Sequence, residues 1–194
     1  VGYCEGQQEA WIEFRFGQAT GYACDVGANN GTLLSNTLLA EERGWTVLCV
    51  EGNPEMEERL RATRKLVEVC AASDFVSESE DFWVNETCPA SGSSLIVHNS
   101  NANRLLKARV DTVDNMLTKH NFPRLDLLSV DVERSEMGVL RGANLDKWKP
   151  KMIIVETFWE SDENRITKFL ESFDYKRKDK TNVDSLFELE GAFE

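Results

Sequence analysis

Histidine, clustered thiols, long apolar runs and positive charge are all scarce in this chain. It holds only His98 and His120, and its five cysteines show no C-x-x-C spacing. Ligands at zinc spacing are therefore missing, and no metal is expected. Cys24, Cys49 and Cys70 fall inside apolar runs and read as small core residues of a reducing, cytoplasmic compartment. No apolar run approaches the ~20 residues of a membrane helix and no signal-peptide pattern is present, so no membrane association is expected. Because the chain starts at Val1 rather than methionine, that expectation concerns these 194 residues alone. Acidic side chains outnumber basic ones 34 to 22, a net of −12. Such a balance repels a phosphate backbone, which argues against nucleic acid as a partner.

What the chain does have is alternation. Apolar runs at 22–26, 46–51, 65–72, 125–131 and 151–156 read as buried strands. Between them, residues 32–42 carry Leu33, Leu34, Leu38 and Leu39 as one helical stripe, with Gly44 as its cap. Asn53 caps a helix with acids in its first turn and Arg59, Arg61, Arg64 and Lys65 at its end, in accord with the helix dipole. Residues 112–120, 135–145 and 162–173 are further helices, with His120 read as a surface or packing residue. Segments 175–180 and 185–189 form a closing antiparallel hairpin. Residues 1–20 suit either a short strand (Ile12, Phe14, Phe16) or a helical turn, and 74–110 is long for a connection, an insertion holding a hairpin or a lid. Strands alternating with helices predict one α/β domain over residues 1–194, with a mostly parallel sheet, helices on both faces and the C-terminal hairpin.

In such a sheet the ligand crevice lies at the C-terminal edge of the strands. Asp25, Glu51, Ser73-Asp74, Asp131 and Glu156 each stand at or just past a strand end. Buried strands gain no stability from ending in carboxylates, which must be solvated or paired. A ring of acids around a glycine turn points instead to a cationic or hydroxyl-rich ligand. Glu51 follows Asp25 by 26 positions, roughly the offset of an acid that binds ribose hydroxyls. The turn Gly27-Ala28-Asn29-Asn30-Gly31 lacks the middle glycine of G-x-G-x-x-G, the one that admits a pyrophosphate. An adenosine without phosphates fits better, and S-adenosylmethionine is the common one.

Six stretches in order then resemble the FkbM-type methyltransferases: Asp25-Val26-Gly27-Ala28-Asn29-Asn30-Gly31, Val50-Glu51-Gly52-Asn53-Pro54, Asp111-Thr112-Val113-Asp114, Asp126 to Glu133, Glu136 to Ala143, and Lys149-Pro150 leading to Val155-Glu156. The resemblance covers about residues 21–157 and implies a Rossmann-like class I methyltransferase fold with S-adenosylmethionine as cofactor. It places Asp25, Gly27, Ala28, Asn30 and Gly31 around the methionine part, Glu51 at the ribose, and Ala72 and Ser73 near the adenine, with Asn53 and Asp131 also among the cofactor-binding residues. The implied reaction is O-methylation of a sugar or other small metabolite bearing a hydroxyl. Asp131, with Glu133 or Glu156, would accept or orient the hydroxyl proton. Two departures stand out: Arg134-Ser135 replaces the usual Gly-Ala, and Gly52 stands where proline is common. The first motivates a rival reading, a non-catalytic S-adenosylmethionine-binding protein. A lesser variant uses Asp131, Glu133 and Glu156 as oxygen ligands for Mg²⁺.

Overall fold

The computed structural model describes residues 2–85, 93–96 and 102–193. Seven strands form the main sheet: β1 (Tyr22–Val26), β2 (Thr46–Glu51), β3 (Leu66–Val69), β7 (Leu127–Val130), β8 (Met152–Glu156), β9 (Tyr175–Lys180) and β10 (Asp184–Leu189). Their order is β3-β2-β1-β7-β8-β10-β9, parallel through β8 and antiparallel over the last pairings. The expected parallel sheet and C-terminal hairpin are therefore both present.

Alternation along each strand divides the core in two. Cys24, Val26, Leu48, Val50, Leu128, Val130, Ile153 and Val155 face one side. There they meet Val113, Met116 and Leu117 of α4 (Val113–Lys119), Val139 and Leu140 of α5 (Glu136–Gly142), and Ile166 and Leu170 of α6 (Glu160–Glu171). Ala23, Val47, Cys49, Leu127 and Ile154 face the other, against Trp11 and Ile12 of α1 (Gln8–Phe16), Ala40 of α2 (Leu38–Glu42) and Leu60 of α3 (Glu57–Thr63). The two-residue period of the strands thus explains why near-continuous apolar runs are needed: both faces are covered. The cysteines read as core residues, Cys24, Cys49 and Cys70, are buried, and burial pushes each thiol up, so they remain inert.

A smaller sheet adjoins the first. Ala71–Ala72 (β4) pairs with Ala102–Asp111 (β6), which also pairs antiparallel with Ser77–Asn85 (β5). The expected single strand over 65–72 is in fact two, because the chain leaves the main sheet at Cys70 and joins the smaller one. Phe82, Val84, Ala108 and Val110 give this sheet its own apolar cluster beside the edge where the main strands end. The expected apolar piece at 95–97 is described only to Ile96, and His98 lies outside the described residues.

The helix expected over 32–42 is the largest local correction. Only Leu38–Glu42 is helical. The side-chain oxygen of Asn30 accepts from Thr32 N at 3.0 Å and Leu33 N at 2.9 Å, and Ser35 Oγ accepts from Leu38 N at 3.1 Å. Short polar side chains thus offer these amides an alternative to the helix ladder. Gly31 and Leu34 take left-handed backbones, φ 82° and 57°. The open question at the N-terminus resolves as the helix α1. As expected, Asn53 caps its turn, accepting from Glu55 N at 3.0 Å, although the first turn there is a 3₁₀ helix.

Candidate active site

At the C-terminal edge of the strands lies a cavity of about 620 Å³, its open mouth included. Val26, Gly27 and Asn29 form one wall, Val50, Glu51 and Gly52 the next, and Cys70, Ala71, Ala72 and Phe82 a third. Asp131, Val132, Glu133 and Ser135 close it, with residues 93–95 across the mouth. Among the described lining residues there is no lysine or arginine. A site with apolar walls, three carboxylates and no cation among its described lining residues suits an uncharged base and ribose with a positively charged tail, not a phosphate.

Glu51 is held by both neighbouring turns. Its Oε2 accepts from Asn29 N at 2.8 Å and its Oε1 from Asn53 N at 2.7 Å. Burial pushes its carboxyl up, against the lowering effect of those amides. With the amide of Gly52 as a third donor, three of its four lone-pair positions are filled and one is left for a hydroxyl.

The amides of the glycine turn are used within the protein. Gly27 and Ala28 donate to Val50 O at 2.9 and 3.0 Å, and Gly31 donates to Ala28 O at 2.8 Å. A Cβ on Gly27, whose φ is 90°, would lie 1.7 Å from Asp131 O, and one on Gly31 would lie 2.4 Å from Thr63 Oγ1. These glycines admit neighbouring chain rather than a ligand.

Asp25 likewise faces inward. It accepts from Thr37 Oγ1 at 2.6 Å and lies 3.6 Å from Arg64. The Arg64 side chain is fully buried and bonds Glu41 at 2.5 Å, Thr37 Oγ1 at 2.7 Å and Gly31 O at 3.1 Å. Of the residues expected at the cofactor, Gly27, Glu51, Ala72 and Asp131 line the cavity, whereas Asp25, Ala28, Asn30, Gly31, Asn53 and Ser73 are not among its lining residues. Phe82 and Ser94 were not anticipated, since nothing in a polar, acidic stretch marks which side chains fold back over the edge. Ser94 Oγ donates to Val132 O at 3.1 Å and, 2.9 Å away, accepts from Ser135, one half of the Arg134-Ser135 departure.

Of the expected catalytic acids, Asp131 and Glu133 line the cavity while Glu156 lies behind them. Asp131 is exposed and lines this concavity, so a ligand reaches it while dense protein surrounds it. That surrounding, and next the charges of Glu133 and Asp184, push its carboxyl well above the usual range. Glu136 shares a side-chain hydrogen bond with Glu156 and accepts from Arg134 N at 2.9 Å and Val132 N at 3.3 Å. Burial raises Glu136 to about 7, and burial plus the charge of Asp131 raises Glu156 to about 10. The pair therefore holds a proton at neutral pH. Among the described residues, no three His, Cys, Asp or Glu side chains are disposed to hold a metal ion.

These carboxyls keep protons that the unfolded chain releases above about 4.5. Folding stability that is full below that pH is therefore lost as pH rises through about 7 for Glu136. Glu136→Gln, which resembles the protonated form, should melt higher than the parent at pH 8, with the difference gone at pH 5. Thermal unfolding across that range checks this, and an equal gap at both pH values would rule it out.

The turn after Asp131 is strained. Glu133 and Arg134 both adopt left-handed backbones, φ 55° and 75°. A non-glycine residue there costs roughly 1–2 kcal/mol. The position where FkbM-type sequences usually have glycine is thus one whose geometry favours glycine.

Sequence comparison identifies the family. The chain matches the methyltransferase FkbM domain over residues 25–177. It belongs to the FkbM methyltransferase family. Two solved structures share the fold of this FkbM-domain methyltransferase. Precorrin-6y C5,15-methyltransferase from Geobacter metallireducens is 12% identical with a TM-score of 0.51, covering 95% of this chain and 89% of its own. A precorrin 8W decarboxylase from Methanobacterium thermoautotrophicum is 13% identical with a TM-score of 0.53, covering 96% and 91%. Among curated proteins none matches significantly in sequence. The Rossmann-like class I methyltransferase fold and S-adenosylmethionine as cofactor follow from the family and the architecture together. No helix among the described residues of this FkbM-domain methyltransferase is long and apolar enough to cross a membrane.

Proposed function

We propose that this methyltransferase methylates a hydroxyl oxygen of a small metabolite such as a sugar, with Asp131 receiving the hydroxyl proton. The carrying observation is the placement of Asp131 in the wall of the same cavity as Glu51, accessible and with its carboxyl pushed upward. A carboxylate of raised basicity takes a proton from an alcohol more readily than an ordinary one. When bound, the cofactor supplies an electrophilic methyl group. The protein's part is to hold Glu51 for the ribose and to direct the acceptor oxygen, since alignment of reacting groups supplies much of such a barrier reduction. Glu133 stands beside Asp131 and keeps it basic, while the Glu136–Glu156 pair holds the turn that presents both.

S-adenosylmethionine should raise the melting temperature. Glu51→Ala should weaken its binding by about 30- to 150-fold, corresponding to about 2–3 kcal/mol for a lost charge-assisted interaction. Calorimetric titration of the cofactor product, S-adenosylhomocysteine, measures this, and unchanged affinity would remove Glu51 from the site. The reaction type is tested with methyl-labelled cofactor and a panel of hydroxylated metabolites. Label recovered as a methyl ether supports the reading, whereas label on carbon or nitrogen overturns it.

A further inference from the structure

A second, open cleft of about 1090 Å³ borders the first and shares Leu95 and Ser135 with it. Arg134, Arg141 and Arg165 all line it. Arg134 and Arg165 lie against the same carboxylate, Asp162, at 3.6 and 3.5 Å. Neither distance makes a good hydrogen bond, and the buried Oδ2 of Asp162 has no hydrogen-bond partner. One carboxylate therefore faces two guanidinium groups without forming a bidentate pair with either. The Arg134 guanidinium also lies over the ring of Trp159, 5.3 Å from its centre, and its side chain is 37% exposed.

The other acids on the wall are mostly engaged. Asp81 pairs with Lys107, Asp74 lies 3.8 Å from Arg141, and Glu136 is bound to its own turn and to Glu156, leaving Glu80. The backbone adds an independent observation, because Arg134 occupies a φ of 75° that glycine would adopt without strain. Strain kept beside a cavity points to a use for the side chain. A planar guanidinium, lying over an aromatic ring and short of hydrogen-bond acceptors, matches a carboxylate or phosphate.

Resting on the hydroxyl-acceptor reading, we propose that Arg134 and Arg165 bind an anionic group of the acceptor. The substrate is then a hydroxylated metabolite carrying a carboxylate or phosphate rather than a neutral sugar. Arg134 is in this view a specificity residue, and its strained turn links recognition of the anion to Asp131, three positions earlier.

The test uses the protein saturated with S-adenosylhomocysteine and titrated with glucuronate, glucose 6-phosphate and glucose. At least one anionic sugar should bind tenfold or more tightly than glucose, and which of the two does so separates carboxylate from phosphate. Arg134→Gly and Arg134→Asn, both suited to a left-handed backbone, should each weaken that binding at least tenfold. Arg134→Lys should recover part of it. Both neutral variants should bind S-adenosylhomocysteine as the parent does and melt no lower. The proposal is overturned if neither anionic sugar outbinds glucose, if the neutral variants bind it unchanged, or if they lose cofactor-product binding or stability in parallel. Failure of S-adenosylhomocysteine itself to bind the parent would instead overturn the cofactor assignment. The position of label transferred from methyl-labelled cofactor tests the hydroxyl reading separately from the charge preference.

Discussion

Asp131→Asn should lower kcat for methyl transfer by about 10²- to 10⁴-fold, the usual contribution of a positioned general base. Asparagine fills the same volume and still donates and accepts hydrogen bonds, but it takes no proton from an alcohol. In the parent, kcat should rise with pH along a limb lying above the usual carboxylate range, because dense protein and the charge of Glu133 favour the protonated form. Water reaches Asp131 through the cavity, so its interaction with Glu133 is partly screened. Glu133→Gln should accordingly move that limb to lower pH, and the residual activity of Asp131→Asn should lack it. The measurement is a pH profile with an acceptor that the parent turns over. An Asp131→Asn variant within tenfold of the parent would remove the residue from proton transfer.

Arg64→Ala should destabilise the fold by about 3–5 kcal/mol, a large share of the roughly 5–15 kcal/mol that holds a domain together. Arg64 is fully buried between Glu41 and Asp25, whose side chains are 5% and 8% exposed. Removing it leaves two carboxylates enclosed with their countercharge gone, and it frees Gly31 O and Thr37 Oγ1 as well. The charge imbalance, rather than the lost volume, dominates. Arg64→Met should therefore be nearly as damaging, while Arg64→Met combined with Glu41→Leu should recover part of the loss. Urea unfolding of the four proteins tests this. A loss below about 1 kcal/mol for Arg64→Ala would show that solvent compensates the acids.

Much of the fold was legible because its strands announce themselves. Runs such as Val47-Leu48-Cys49-Val50 are apolar on both faces only if helices cover both faces, and that condition is met. Residues 32–37 misled because their leucines keep a helical spacing while Asn30 and Ser35 bond the backbone themselves; Leu33 and Leu34 end up exposed. Arg64 misled similarly. Beside Arg59 and Arg61 it resembles a solvated charge at a helix end, and only folding brings Glu41 and Asp25 to it.

By itself, then, the sequence determined the α/β architecture, the family, and the acids that end the strands, since strand period and helix caps are local and the motifs are contiguous. Tertiary structure decided what those acids do. It separated Glu51 and Asp131, which face the cavity, from Asp25, which neutralises a buried arginine, and it brought Phe82 and Ser94 to that cavity and Arg134 and Arg165 to the adjoining cleft. Whether a carboxylate is a ligand, a base or a structural anion depends on the charges and amides around it, and these arrive from distant parts of the chain.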